Sequence, residues 1–228
     1  MTRWLDRLGL NRIRDITPTG EQLPRPGKIT ARYPGHMIHL DVKKIGKIPD
    51  GGGWRVHGRG SEQALASKRT HKQKVGYTYL HCAIDGFSRL SYTESLEDET
   101  TATTIGFFHR ARTFFAAHRI TRITRLITDN DPAYRQVAFA NATRAYISCH
   151  QPTRPYTPRH NEKVERYQRI MTDECLYARA YTSQTTRREA INVWVHHYNY
   201  HRPHTPCRDQ PPASHVHDHV NNLMPNYN

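Results

Sequence analysis

Apolar and polar side chains alternate along residues 36–45, HMIHLDVKKI, near the start of the chain. Ile38, Leu40 and Val42 recur at every second position, and the residues between them, Asp41 among them, are polar or charged. Because successive side chains of a strand point to opposite faces, this pattern predicts a half-buried β-strand. It also predicts that Asp41 lies on the face opposite the apolar row.

The middle of the chain alternates between strand-like and helix-like patterns. YTYLHCAID and RLSYTESL predict two strands joined by a hairpin turn at Asp85-Gly86, since Asp-Gly favours such turns. A helix is predicted over residues 101–118, a short strand ends at Asp129, a helix begins at Pro132, and AYISCH forms another strand. This alternation is typical of an α/β sheet.

Two more helices are predicted in the last third of the chain. The first covers about residues 161–177, and its apolar residues recur at helical spacing: Val164, Tyr167, Met171 and Cys175. The second opens at Thr186, with Glu189 three residues later in the pattern of a capping box. It ends before HRPHTPCRDQPP, which is expected to be a loop.

Two segments are too polar or too rich in Gly and Pro for the core. Residues 1–35 predict a short helix followed by a basic linker. A long excursion from the sheet toward DNA, a segment outside the core, is predicted for residues 49–74, which contain GGGW, HGRG and KRTHKQK.

The net charge of the chain indicates what kind of molecule it binds. Lys and Arg total 34 against 20 Asp and Glu, a net charge of +14, which favours a polyanion and above all nucleic acid. The four cysteines form no CxxC pair, so the sequence contains neither a zinc ribbon nor a redox motif and fits a reduced, cytoplasmic protein. No apolar run reaches the roughly 20 residues of a membrane helix, and MTRWLDRLGL lacks the apolar stretch of a signal peptide.

Three carboxylates stand out by their positions: Asp41 inside the first strand, Asp129 at the end of a later strand, and Glu165 near the start of a helix. Phosphoryl transfer with two metal ions requires such side chains to converge, because carboxylates hold the ions about 4 Å apart. Each acid alone also fits a plainer role, respectively a solvated strand face, a helix cap and a surface charge. Their combination is therefore the informative feature.

The motifs around these acids resemble the DDE integrase core of insertion-sequence transposases and retroviral integrases. HLDVKK carries the first Asp and ITDNDPAY the second. NEKVER carries the Glu after a gap of 35 residues, and YNYHRPH resembles the tail of the bacterial members. The resemblance covers roughly residues 36–206 and is far more specific than any one motif.

The resemblance implies an RNase H-like α/β fold, a mixed five-stranded sheet flanked by helices. It implies that Asp41, Asp129 and Glu165 meet at one edge and bind two Mg²⁺ or Mn²⁺ ions. The expected activity is DNA cleavage and strand transfer on transposon ends and target DNA. A homo-oligomer, at least a dimer, is expected when two ends are engaged, in the cytoplasm and associated with the nucleoid.

Basic residues around the acids are candidates for binding the DNA backbone, since Lys and Arg supply the sequence-independent part of DNA affinity. With one asparagine, the candidates are Lys43, Lys44, Arg159, Asn161, Lys163, Arg166 and Arg169. A solvated basic helix face is the alternative for each cation. A zinc site at His197 and His201 is disfavoured, because no HExxH pattern or cysteine accompanies them.

The sequence departs from the family pattern at two positions. Asp131 and Glu162 stand where glycine is usual, and both add negative charge near the expected metal site. Asp131 also precedes Pro132, as a helix N-cap would. The predicted organisation is an N-terminal helix and linker over 1–35, a catalytic core over 36–206 and a polar tail over 207–228. With no room for a helix-turn-helix, we expect a truncated core, and an inactive transposase-derived DNA-binding protein is the alternative.

Overall fold

The computed structural model describes residue 19 and residues 30–70, 76–153 and 161–220, excluding the side chains of 67–70 and 217–220. Residues 31–228 form one of the two units into which the chain divides, and that unit is described below. The strands are β1 (Met37–Gly46), β2 (Tyr77–Asp85), β3 (Ser91–Leu96), β4 (Ile123–Thr128) and β5 (Ile147–Pro152). The α-helices are α1 (Trp54–His57), α2 (Glu62–Thr70), α3 (Thr101–Ala117), α4 (Pro132–Arg135), α5 (Val137–Thr143), α6 (Glu162–Met171), α7 (Gln184–Tyr200) and α8 (Pro212–Val220).

The five strands form one mixed sheet in the order β3-β2-β1-β4-β5. β1, β2 and β3 pair antiparallel, whereas β4 pairs parallel with both β1 and β5. A mixed five-stranded sheet flanked by helices is the predicted RNase H-like α/β fold, so the predicted fold class is confirmed. The predicted strands and long helices are present, with ends that differ by a few residues.

Apolar clusters cover both faces of the central strand β1. Ile38 and Leu40 pack with α3 and α5 on one face, whereas Ile45 packs with α6 and α7 on the other. The predicted half-buried strand is therefore wrong on one point. His39, expected on a polar face, is only 4% exposed, and its ring contacts Asn161, the N-cap of α6.

Helix α6 continues through a π-helical turn, Thr172–Leu176, so that one helical segment extends close to the predicted end. α7 begins two residues before the predicted start. Its N-cap is Ser183, whose Oγ accepts from the Thr186 N–H, and Thr186 in turn accepts from the Ser183 N–H. Thr186 is thus the third helical residue of a capping box, and the predicted pairing of Thr186 with Glu189 is wrong.

Two segments predicted as polar loop or tail contain helices. The excursion forms α1 and α2, and Ala64 is buried in α2. α8 falls in the segment assigned to the polar tail, yet its Ala213 and Val216 lie in the core beside β1 and α3. Among the described helices, none has the length and apolar character needed to cross a bilayer.

Candidate active site

Strand pairing brings the first two acids side by side. β1 and β4 are parallel, with Ile38 opposite Leu126 and His39 opposite Ile127. Continuing this register by two residues sets Asp41 opposite Asp129, on neighbouring strands about 4.8 Å apart. Asp41 lies within β1, whereas Asp129 directly follows the last residue of β4.

The turn after β4 fixes the orientation of Asp129. The Asp131 N–H donates to Asp129 Oδ1 at 3.0 Å, and Asp131 Oδ1 accepts from the Ala133 N–H at 2.9 Å. Asp131 is therefore the N-cap of α4, and Pro132 follows at its first position. The prediction that Asp131 begins a helix is confirmed.

Burial and charge strongly perturb Asp41. Loss of solvation and the negative charges of Asp129 and Glu165 raise the pKa of Asp41 to about 7, although the Val42 N–H donates to its Oδ1 at 2.9 Å and opposes the rise. Burial, followed by the charge of Asp131, also raises the pKa of Asp129. Two adjacent carboxylates that both resist ionisation favour a bound cation.

Glu165 lies in the first turn of α6 and is exposed. α6 packs through Val164 and Tyr167 onto the sheet face on which Asp41 lies. Its N-terminus is anchored by Asn161, which is 3% exposed. The Asn161 side chain contacts His39 Nδ1 at 3.3 Å and donates from Nδ2 to the Leu40 carbonyl at 3.4 Å.

A buried hydroxyl next to the acids lacks a hydrogen bond within the described part of the chain. It belongs to Tyr134, whose side chain is 2% exposed. The charges of Asp41, Asp129 and Asp131 all act on Tyr134, and the Gln168 amide lies within hydrogen-bonding reach of Asp41. Buried polar groups are normally paired, so the Tyr134 hydroxyl indicates a partner such as a hydrated ion or a phosphate.

The donors present fit a hard divalent cation. Asp and Glu supply the carboxylate oxygens that Mg²⁺ and Mn²⁺ prefer, and the unpaired Tyr134 hydroxyl can bond to an ion's water. In the described residues, no three His, Cys, Asp or Glu side chains are close enough together to hold one ion jointly. The pair Asp41 and Asp129 is consequently the preformed part of the site, and Glu165 stands at its exposed side.

The predicted DNA-binding residues fall into three environments. Arg166 and Arg169 are exposed on α6, and Lys163 is half-buried beside them. Lys43 is half-buried on the Asp41 face of β1, whereas Lys44 lies over the Tyr77 ring at 4.5 Å on the other face. Arg159 lies outside the described residues. Asn161 is buried and bonded within the protein, so the structure gives it an anchoring role and no surface for DNA.

Sequence patterns alone gave no role to His39, Tyr134 or Gln168. Burial lowers the pKa of His39 to about 4, so its ring is neutral where it meets Asn161. From the sequence, Tyr134 and Gln168 could be predicted only to be polar residues of helices. The period of α6 did offer one signal, because Gln168 follows Val164 by four residues on the buried side.

The sequence is similar to known protein families. Residues 31–158, more than half of the chain, match a family described as Integrase core domain, and residues 148–212 match a second family of that description. No curated protein matches the sequence significantly.

Several solved structures share the fold. A chain of the simian T-cell lymphotropic virus intasome, in complex with PP2A regulatory subunit B56 gamma, is 21% identical with a TM-score of 0.60; the match covers 90% of this chain and 61% of that one. The HTLV-2 integrase catalytic core domain in complex with magnesium, in a trimeric form, is 18% identical over 81% of this chain and 98% of that one, with a TM-score of 0.56. The BIV integrase catalytic core is 14% identical over 84% and 99%, with a TM-score of 0.54.

Proposed function

The chain belongs to the integrase core domain family, and from that premise we propose that it cleaves DNA strands and transfers them to new sites. Members of this family are generally polynucleotidyl transferases that use divalent metals. The observation that carries the proposal is the proximity of the three acids, since the charges of Asp129 and Glu165 both act on Asp41.

Each acid has a distinct part in the proposed reaction. Asp41 and Asp129 face the reacting phosphate from the rigid sheet, and Glu165 approaches it from the first turn of α6. Two Mg²⁺ or Mn²⁺ ions bound by these carboxylates would stabilise the attacking and leaving oxygens of a phosphodiester exchange. The Tyr134 hydroxyl, which lacks a hydrogen bond among the described residues, holds a water or phosphate oxygen in orientation, and the Gln168 amide holds the Asp41 carboxylate.

The exposed side of α6 positions the DNA. Arg166 directly follows Glu165 and Arg169 lies about one turn after it, both exposed, and Lys163 lies between the acid and the start of the helix. Cations at this spacing neutralise neighbouring phosphates and set the register of the duplex without reading its sequence.

The finer assignment is a transposase of bacterial insertion-sequence type, acting on transposon ends and target DNA as at least a dimer. Its support is the motif YNYHRPH at the end of α7, which resembles the bacterial members. The HTLV-2 integrase core has been solved in both trimeric and dimeric forms, which supports an oligomeric complex here.

A second function from another class is DNA binding without catalysis. Two observations favour it: the additional charges at Asp131 and Glu162, and the absence, among the described residues, of three metal-ligating side chains close enough to share one ion. The basic surface would be retained in such a protein and the chemistry lost.

A strand-transfer assay decides between the two. Purified protein is given donor DNA with a free 3′-hydroxyl, target DNA and Mg²⁺ or Mn²⁺. We expect metal-dependent joining that falls roughly 10³-fold in Glu165→Gln, since loss of an ion ligand removes several kcal/mol of transition-state stabilisation. Asp173→Asn, which changes an exposed acid two turns away on the same helical segment, is the matched control. Joining that survives Glu165→Gln would refute the triad, whereas salt-sensitive binding with no cleavage in either metal would establish the second function.

A further inference from the structure

The excursion between β1 and β2 folds back against the end of the α6 segment. The Arg55 guanidinium lies 4.8 Å from the centre of the Trp54 ring and 4.4 Å from that of Tyr177. Arg59 lies 4.6 Å from the Trp54 ring. We call these four residues, Trp54, Arg55, Arg59 and Tyr177, the aromatic–guanidinium patch.

The patch contributes little to the core. Trp54 and Tyr177 are each 42% exposed, and α1 contains no buried residue. Gly52 shapes the turn that presents Trp54. It has a φ of +90°, and a Cβ there would approach Val56 to 2.5 Å, so only glycine fits. A large aromatic held in solvent by a specific turn is more typical of a binding surface than of a folding element.

Among the described residues, no carboxylate forms an ion pair with Arg55 or Arg59, the two cations of the patch. Within that part of the chain both guanidinium groups stack on aromatic rings, and such stacking is weak at exposed positions. The patch therefore offers two partly exposed rings and two positive charges to a ligand.

A nucleotide strand with unstacked bases matches this chemistry. Bases stack on exposed aromatic rings whatever their identity, and guanidinium groups both stack on bases and pair with phosphates. Bases inside a duplex are covered by their neighbours and cannot reach the rings. The ligand class is therefore unpaired nucleic acid.

The position of the patch relates it to the acids. β1 continues from Asp41 to Gly46, roughly 16 Å at about 3.3 Å per residue. The α6 segment leads from Glu165 to Tyr177 over about 18 Å at 1.5 Å per residue. The two elements converge, since Arg187 donates to the Gly46 carbonyl at 2.7 Å and lies near Tyr177.

We propose that the aromatic–guanidinium patch binds unpaired nucleotides of the reacting DNA, on the strand that continues from the phosphate at the acids. The inference rests on the proposed function, because only a DNA substrate held at Asp41 and Asp129 would continue across this surface. The patch would bind a strand that is open next to the reacting phosphate.

Binding to two DNAs tests the patch. Fluorescence anisotropy compares a blunt duplex with the same duplex carrying a ten-nucleotide single-stranded extension, using the full-length chain. In the double variant Trp54→Ala with Tyr177→Ala, affinity for the extended DNA is expected to fall roughly 10- to 100-fold, and affinity for the blunt duplex to change less than twofold. Trp54→Phe with Tyr177→Phe keeps both rings and should restore binding of the extension.

A matched control comes from an exposed aromatic stack outside the patch. Tyr146 is 41% exposed and has Arg112 over its ring at 4.2 Å, so Tyr146→Ala removes a comparable stack outside the patch. We expect it to leave the preference for the extended DNA unchanged. An equal loss in Tyr146→Ala, or an unchanged preference in the double variant, overturns the proposal. If only the patch proposal is wrong, the unmodified protein still transfers strands and Glu165→Gln still reduces that activity. If the proposed function is wrong, the unmodified protein shows no strand transfer.

Discussion

Asp41, in β1, and Asp129, directly after the adjacent parallel strand β4, lie side by side, because the register that pairs His39 with Ile127 leads to them two residues later. Neither depends on a flexible loop for its place, since one lies within β1 and the other directly follows β4. The sheet thus holds two like charges together at the expense of their ionisation. Any function of this site must relieve that repulsion.

The first prediction concerns pH. Because the pKa of Asp41 is raised from 3.8 to about 7, the metal-free folded protein retains a proton that the unfolded chain has lost. This group therefore lowers the free energy of unfolding as pH rises from about 4 to 7, and the effect is constant above that. Mg²⁺ requires the ionised carboxylate, so its stabilising effect should grow over the same window. Thermal unfolding with and without Mg²⁺ at pH 5.5, 6.5 and 8 measures both trends.

Comparison with Asp41→Asn isolates this group. Burial lowers the pKa of His39 to about 4, which makes stability rise with pH between about 4 and 6.5, opposite in sign to the effect of Asp41. The difference between the unmodified protein and the variant cancels the histidine contribution. A Mg²⁺-induced shift in Tm that is equal at all three pH values, or that persists in Asp41→Asn, contradicts the prediction.

The second prediction concerns the Tyr134 hydroxyl. A buried polar group without a partner destabilises the protein by about 1 kcal/mol or more, so Tyr134→Phe should raise the free energy of unfolding without metal by about that amount. If the hydroxyl bonds to the water of a bound ion, the same variant should bind Mg²⁺ several-fold more weakly. Urea unfolding titrated with Mg²⁺ gives both quantities. Loss of stability without metal would show that the hydroxyl already has a partner.

The sequence identified the acids but only part of their surroundings. Asp41 could be placed by the alternation around it, and Asp129 by the strand that ends before it. The alternation could not show that the polar face of β1 is covered, because burial of His39 depends on where α6 packs. A local sequence pattern predicts the helix or strand to which a residue belongs. It does not predict which other element packs over that residue, because this depends on tertiary structure.

The same limit explains the errors in caps and termini. Ser183 caps α7 through a reciprocal bond to Thr186, and a helix shifted by two residues looks equally plausible in sequence. α8 was hidden by its His-rich composition, although Ala213 and Val216 supply enough apolar surface to dock on the core. Asp131 was predictable because the cap and Pro132 are adjacent in sequence.

The third prediction separates anchoring from DNA binding at Asn161. Its side chain bonds to His39 and to the Leu40 carbonyl in a buried setting, so Asn161→Ala should lower the free energy of unfolding by about 2 kcal/mol. Arg166→Ala, at an exposed position of the same helix, should change stability by less than about 0.5 kcal/mol but weaken DNA binding and reduce its salt dependence. Chemical unfolding and anisotropy at several salt concentrations compare the pair. The reverse pattern would restore Asn161 as a DNA contact.

The fourth prediction divides the two roles of Asp131. Its Oδ1 caps α4, and its charge raises the pKa of Asp129. Asn caps as well as Asp, so Asp131→Asn should keep the free energy of unfolding within about 0.5 kcal/mol, whereas Asp131→Ala should lose about 1 kcal/mol. Both variants remove the charge, so Asp129 should ionise at lower pH in each.

The pH–rate profile of strand transfer separates the charge of Asp131 from its role as a helix cap. If the charge of Asp131 hinders ionisation of its neighbour, the acidic limb of the profile should move to lower pH in Asp131→Asn and in Asp131→Ala alike. A cap-only role would leave the limb in place in both and reduce stability in Asp131→Ala alone. Because the Asp131 N–H bond to Asp129 Oδ1 comes from the backbone and survives both substitutions, any shift in the limb reports the lost charge.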